Sequence, residues 1–327
     1  MNTAAASVIN TLLSIKPLAK FAKSRARTMM MDRAETIGVY WRDEVAALRR
    51  REVAGTEIRD DEVDPEWDKA LGAIANPALT YPDYYTTSFH AYDEGNLGWL
   101  PAMEVDVAAR AVHARIWPEG DERAGINGDA SLRAGYHRVL KNILSETSSD
   151  TPEHIIDLGA SAGQSTFSLQ AAFPSAQLTS VELSPYFLAV AQYAEAKNQA
   201  PAERPINWVH AAAEETGLPP GCADLVSACL VFHELPTSAA QAVIAEAYRL
   251  VRPGGHFAIM DMNPECETFT AMPPYILTLL KSTEPYLDQY FALDMAQTFR
   301  SAGFMSPRIE ETTPRHRIVI AQKPPLQ

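Results

Sequence analysis

Cysteine is scarce and follows no pattern: Cys222, Cys229 and Cys266 are an odd number without a C-x-x-C spacing. Neither a disulfide framework nor a thiolate zinc site is suggested by that, and a reducing compartment fits best. A cytoplasmic location is expected, and no metal is. No run of about 18 apolar residues occurs, so no transmembrane segment is expected. Positive charge is also in deficit, with 28 Lys and Arg against 41 Asp and Glu and a net charge of −13. Nucleic acid is thereby disfavoured as a partner, and a small-molecule substrate is favoured.

Acidic residues are missing from one place. Residues 1–31 contain Lys16, Lys20, Lys23, Arg25 and Arg27 and no Asp or Glu, a composition shared with transit peptides. Yet Ile9, Leu12, Leu13, Ile15, Leu18, Phe21 and Ala22 recur at near-helical spacing, and the pattern runs on through 27–35 without a cleavage-like break. The expected element is an amphipathic first helix. An organelle-targeting segment and a helix in peripheral contact with a membrane are the alternatives.

The rest of the chain has two grammars. Residues 1–150 carry helical periodicities at 41–53, 102–117 and 129–146 and almost no strand-like run, so a helical N-terminal domain is expected there. Its surface should include the charged stretch 57–70, and residues 147–154 read as a hinge. In 151–327, short apolar runs at 154–159, 177–183, 206–211, 223–232 and 256–261 alternate with helical patterns at 163–173, 185–198 and 238–251. That alternation implies an α/β fold with a parallel sheet covered on both faces. Two extended segments, 306–312 and 315–323, are joined so closely that they should pair antiparallel.

Ligands of an open parallel sheet bind at the carboxyl ends of its strands, near the switch point. The turn after the first strand, "DLGASAG" (157–163), lacks two of the three glycines of a dinucleotide fingerprint, since Ser161 and Gln164 stand at the third and sixth positions. No G-K-[ST] follows, which rules out a phosphate-binding P-loop. What is present is an acid, Asp157, then Gly159 and Gly163, then a second acid, Glu182, ending the next strand. A strand-end carboxylate can accept both hydroxyls of a ribose, and Asp157 can pair with an ammonium group. S-adenosylmethionine, a nucleoside carrying an amino acid and no phosphate, meets both demands.

At this point the sequence resembles the class I S-adenosylmethionine-dependent methyltransferases over about residues 135 to 322. The match runs through "DLGASAG", "VELSP", "HAAAEETGLP", "ADLVSACLVFHELP" and "RLVRPGGHFAIMD", five motifs in order. The resemblance implies a Rossmann-like seven-stranded sheet with a terminal antiparallel hairpin and S-adenosyl-L-methionine as cofactor. It implies contacts to the methionine portion at Asp157, Gly159, Ala160, Ser161 and Gly163, with Leu230 beneath it. Glu182 would hold the ribose, with Leu183, Ala213 and Glu214 around adenine. Two departures stand out: Ser161 replaces the usual middle glycine and fits if its φ is negative, and Ala212 stands where many relatives carry an aspartate.

The expected activity is methyl transfer to a small organic acceptor. The alternatives are a lipid or quinone-like acceptor, and a non-catalytic S-adenosylmethionine-binding scaffold. His233 and Glu234, just past the fourth strand, and Asp261, ending the fifth, are the candidate catalytic groups, each with packing or solvent exposure as its ordinary alternative. The aromatic segment 81–99 is expected to be a substrate lid that touches the acceptor side alone, through Tyr81, Tyr84, Tyr85, His90, Tyr92, Asn96 and Trp99. Docking of the helical half is its plainer role. A second cover, 271–291, contributes Tyr275 and the apolar Met272, Ile276, Leu279 and Leu280.

Overall fold

The structure, a computed structural model, describes residues 16–51, 62–90, 92–147, 151–197 and 204–326, without the side chains of 16–24, 26 and 279. Ile9, Leu12, Leu13 and Ile15, the side chains of Leu18, Phe21, Ala22 and Leu279, and parts of the charged stretch and the hinge lie outside what is described. Helix α1 (Lys16–Thr36) leads into α2 (Trp41–Arg49), α3 (Pro65–Ile74), α4 (Trp99–His113) and α5 (Gly128–Thr147). The start of α3 follows from its sequence: Asp64 accepts a hydrogen bond from the Glu66 amide and Pro65 supplies the first helical position. Buried Trp67 then donates to the carbonyls of Leu48 and Arg49, tying α3 to the end of α2. Among the described residues, no helix is long and apolar enough to cross a membrane.

Seven strands form one sheet in the order β3-β2-β1-β4-β5-β7-β6. They are β1 (His154–Leu158), β2 (Gln177–Glu182), β3 (Asn207–His210), β4 (Ala223–Cys229), β5 (Val251–Met262), β6 (Arg308–Thr313) and β7 (His316–Gln322). Strands β1 to β5 are parallel, and β7 runs antiparallel to both β5 and β6. The chain winds outward in both directions from the β1/β4 pair, so the crevice opens at the carboxyl ends of those two strands. The fifth strand starts at Val251, ahead of the expected 256, because Gly254 (φ +80°) turns within it and donates to the Lys323 carbonyl.

Helices α6 (Gln164–Ala172), α7 (Pro185–Lys197) and α8 (Thr237–Leu250) connect the parallel strands. Past β5 come short helices α9 (Glu267–Thr270), α10 (Pro274–Lys281) and α11 (Leu287–Ala292), with Tyr290 of α11 donating to the Met262 carbonyl at the end of β5, before α12 (Met295–Ala302) packs Phe299 on Phe257 of the sheet. Three apolar cores result. On one face Val243, Ile244, Phe257 and Phe299 pack together. On the other, Leu132, Tyr136, Leu140 and Ile143 of α5 cover Ile155, Leu178 and Ile318. The third joins Val39, between α1 and α2, and Trp41, Trp67 and Val107 of the N-terminal helices to Phe187 and Val190 of α7. The helical region is therefore built onto the sheet region through two of the three cores.

Candidate active site

The β1 turn is drawn against β2 by two amides, Gly159 and Ala160, which donate to the Val181 carbonyl at 2.9 and 3.1 Å. Gly159 sits at φ +72°, and a Cβ there would lie 2.6 Å from Cγ2 of Val231. Gly163, at φ +94°, would meet the Phe167 ring at 2.7 Å. Both glycines are thus demanded by backbone and by space. Ser161 departs from expectation: its φ is +50°, left-handed like the glycine it replaces. The reason is its amide, which in that conformation donates to Glu182 Oε2 at 2.8 Å.

Asp157 is fully buried. Its Oδ2 accepts from Ser165 Oγ at 2.6 Å and Thr166 Oγ1 at 2.7 Å, while Oδ1 is buried without a partner. Burial raises its pKa to about 6 against the pull of those two hydroxyls. Glu182 is buried too and accepts from the Ser184 amide (2.8 Å), Tyr85 Oη (3.1 Å) and the Ser161 amide. Desolvation outweighs these bonds, and its pKa is raised.

Around these acids stand the residues expected near adenine. Leu183 is buried, and its carbonyl accepts from His210 Nε2 at 2.9 Å, a tautomer fixed by Nδ1 accepting the Asn76 amide at 2.7 Å. Glu214 accepts from Tyr84 Oη at 2.5 Å, and Ala213 packs on the sheet core. Leu230 holds a left-handed φ of +60° while its amide donates to Met260.

One charge had gone unread. Arg133 of α5 is buried, pairs with Asp129 at 2.9 Å and points Nη1 toward Cys229 Sγ, 3.8 Å away. Its charge reaches Asp157, lowering that pKa. Its signal in the sequence is an arginine on the face of α5 that otherwise buries Leu132, Tyr136 and Leu140.

Beyond β4, a short 3-10 turn (Phe232–Glu234) carries His233 into a buried cluster. Asp261 Oδ1 bonds His233 Nδ1 at 2.8 Å, and Asp261 Oδ2 accepts the His233 amide at 3.2 Å. His233 Nε2 then faces Glu234 Oε1 at 4.0 Å. His90, on the 81–99 loop, brings its Nε2 to 2.9 Å from Glu284 and 3.7 Å from Glu234. Burial opposes a charge on His233, but Asp261, Glu284 and Glu234 outweigh it and push its pKa up to about 10. Glu234, penalised chiefly by burial, rises to about 7. Glu284, in the α10–α11 connection, was missed because that segment draws notice for its apolar residues.

The 81–99 loop does not stand over the acceptor side alone. Tyr81 Oη lies 3.4 Å from His210, Tyr84 binds Glu214 and Tyr85 binds Glu182, so the tyrosines reach the residues expected to hold the nucleoside. The tyrosines follow one another closely in the chain, so their reach falls together on the β2 and β3 ends, while His90 reaches the cluster. Tyr92 turns away to Glu104 at 2.6 Å, Asn96 accepts from Ser184 through its carbonyl, and Trp99 packs against Trp67 and Tyr186. Tyr275 on α10 is exposed.

S-adenosylmethionine fits these residues: an orphaned carboxylate oxygen is available to an ammonium, and the glycine turn leaves room for close backbone approach. Residues 156–259 match the family described as "Methyltransferase domain". An uncharacterized methyltransferase of Synechocystis sp. is 27% identical over 176 residues, covering 54% of this chain and 78% of that protein. Haemonchus contortus phosphoethanolamine N-methyltransferase 2, solved with S-adenosyl-L-methionine, is 15% identical with a TM-score of 0.43, covering 64% of this chain and 61% of its own. The chain thus spans about three fifths of that solved relative. PigF, solved with SAH, is 17% identical with a TM-score of 0.49, covering 79% of this chain and 69% of its own. Residues 156–259 therefore carry a methyltransferase domain, and the sheet order and the paired strand-end carboxylates agree with a class I S-adenosylmethionine-dependent methyltransferase.

Proposed function

We propose that the enzyme methylates a small organic acceptor seated between the 81–99 loop, the Phe232–Glu234 turn and the 271–291 segment. The observation that carries this reading is the adjacency of two sites around the strand ends. One is the Asp157/Glu182 crevice; the other is the group of buried His233 and Glu284 with the partly exposed His90 and Glu234, drawn from three separate segments. Glu182 and the Ser161 turn are suited to the ribose, the free oxygen of Asp157 to the ammonium, and Arg133 to the amino-acid carboxylate. When bound, S-adenosylmethionine supplies a methyl group already activated by its sulfonium.

The chain's own residues then have to align the acceptor and dispose of its proton, and alignment carries much of the rate. Asp261 is a positioning residue that holds His233 by Nδ1 and leaves Nε2 toward the acceptor. A Glu234 oxygen, 3.7 Å from His90 Nε2 and 4.0 Å from His233 Nε2, is placed to take a proton from a hydroxyl or amine. The aromatic loop excludes water from both halves.

Isothermal titration with S-adenosylmethionine and S-adenosylhomocysteine tests the donor side. Both should bind, and Glu182→Ala should weaken binding by about 1.5 to 3 kcal/mol through lost charge-assisted hydrogen bonds. Transfer of labelled methyl from the cofactor into fractionated cell extract tests the acceptor: label should enter the small-molecule fraction, and label confined to protein or lipid would overturn the reading. A lipid or quinone-like acceptor is a second reading, favoured by the exposed Tyr275 and Ile276 on α10. Flotation with liposomes, comparing the full chain with one lacking residues 1–30, addresses it.

A further inference from the structure

We propose that His90, His233 and Glu284 form a binding site for one divalent first-row transition ion, of the Zn2+ type, against the expectation of a metal-free chain. One ligand atom from each lies within 4.8 Å of the other two. The closest pair, His90 Nε2 and Glu284 Oε1, is 2.9 Å apart. Ligands bound at about 2.0 to 2.2 Å stand roughly 3 to 3.5 Å from one another, so modest side-chain adjustment brings all three onto one ion. Glu234 Oε1, 3.7 Å from His90 Nε2 and 4.0 Å from His233 Nε2, is within reach of a fourth position.

Three independent features point to a cation. Glu284 is buried, and its Oε2 has no hydrogen-bond partner; a buried, unpaired carboxylate oxygen is costly unless something positive meets it. Asp261 binds His233 through Nδ1, which fixes the tautomer that presents Nε2 as an acceptor once the ring is neutral; a carboxylate behind a ligating histidine is the usual outer support of such sites. The carboxylates Glu234, Glu284 and Asp261 also gather around only two histidines, leaving negative charge in excess in a buried place. His90 is the one partly exposed ligand, which gives an ion a path in and leaves coordination positions open. Two imidazoles and a carboxylate suit Zn2+, Co2+, Ni2+ or Fe2+, whereas Mg2+ and Ca2+ take oxygen ligands. Binding of the ion stands on this geometry alone; use of its open positions to orient an acceptor oxygen or nitrogen rests on the function proposed above.

The test is equilibrium binding to the untagged full chain, stripped with chelator and with no cofactor added, so that its failure is separate from failure of cofactor binding. One equivalent of Zn2+ per chain is expected, with Mg2+ bound at least a hundredfold more weakly. His90→Ala and Glu284→Gln should each weaken Zn2+ at least tenfold, and Asp261→Asn should do so 10- to 100-fold. Binding of S-adenosylhomocysteine shows that each variant is folded. Should a variant lose that as well, the unmutated chain decides alone, since stoichiometric Co2+ must give the visible absorption of a nitrogen- and oxygen-ligated ion. No stoichiometric uptake of Zn2+, no such Co2+ spectrum, or uptake that survives in the His90→Ala/Glu284→Gln double variant would overturn the proposal.

Discussion

Asp157 holds its proton to about pH 6 because burial disfavours the charged form more than Ser165 and Thr166 support it. The sign of the linkage follows. A carboxyl whose folded pKa is raised from 3.8 to about 6 contributes stability that is full below about pH 4 and lost as the pH rises through 6. By neutrality the ionised group costs the unliganded protein about 3 kcal/mol. An ammonium beside the orphaned oxygen favours ionised Asp157, so cofactor affinity should be level above about pH 7 and fall toward tenfold per pH unit below 6. Calorimetry between pH 5 and 8 measures this, and Asp157→Asn should flatten the curve; parallel curves for the two proteins would count against the pairing. The glycines of the same turn make a second contrast. Gly159→Ala adds a Cβ 2.6 Å from Val231 at a left-handed φ, and the strain and overpacking together should destabilise by about 2 to 4 kcal/mol in urea melts. Ser161→Gly, which relieves a positive φ but loosens the unfolded chain, should change stability by less than about 1 kcal/mol.

At the scale of elements, the strands were readable as short apolar runs because both faces of the sheet are covered, as the burial of β1 from Ile155 to Leu158 illustrates. The two strand-end acids were readable as well, since position at the end of a parallel strand is itself the signal. What a linear reading lacked was reach across the chain. The φ of Ser161 is set by a bond to Glu182, 21 residues on, and Arg133 and Glu284 acquire meaning only from neighbours that folding supplies. The 81–99 loop is the sharpest case, for its tyrosines were legible as a cover but not as partners of Glu182 and Glu214. Glu182 offers about four lone-pair positions, and two amides and Tyr85 Oη already take three. Two ribose hydroxyls need two, so Tyr85 has to withdraw when both are bound. Tyr85→Phe should therefore tighten binding of S-adenosylhomocysteine about two- to tenfold, the value of one hydrogen bond that no longer competes. An equal or weaker affinity would mean that Tyr85 donates alongside the ribose.

Across the whole molecule, the division expected near residue 150 follows a change in chain grammar, while the packing is drawn elsewhere. Ile116, Trp117, Leu132, Tyr136, Val139, Leu140, Ile143 and Leu144 all lie before that boundary and share a core with Ile155, Leu178, Ile318 and Ile320 of the sheet. At about 1.5 to 3 kcal/mol for each large apolar side chain, their loss exceeds about 10 kcal/mol, as much as the entire net stability of an ordinary domain. A fragment of residues 151–327 should consequently fail to fold, whereas residues 114–327 keep α5 on the sheet and should unfold cooperatively in urea. The longer fragment bares Phe187 and Val190 of α7, which the N-terminal helices cover in the full chain, so it should be less stable than the intact protein and prone to associate. It retains Asp157, Glu182 and Arg133 and lacks Tyr85, so it should still bind S-adenosylhomocysteine. Far-ultraviolet circular dichroism with urea titration and calorimetry on both fragments decides the matter. A cooperative transition in residues 151–327 would show that α5 is a cover the sheet can lose, and that the boundary read from the sequence is the physical one.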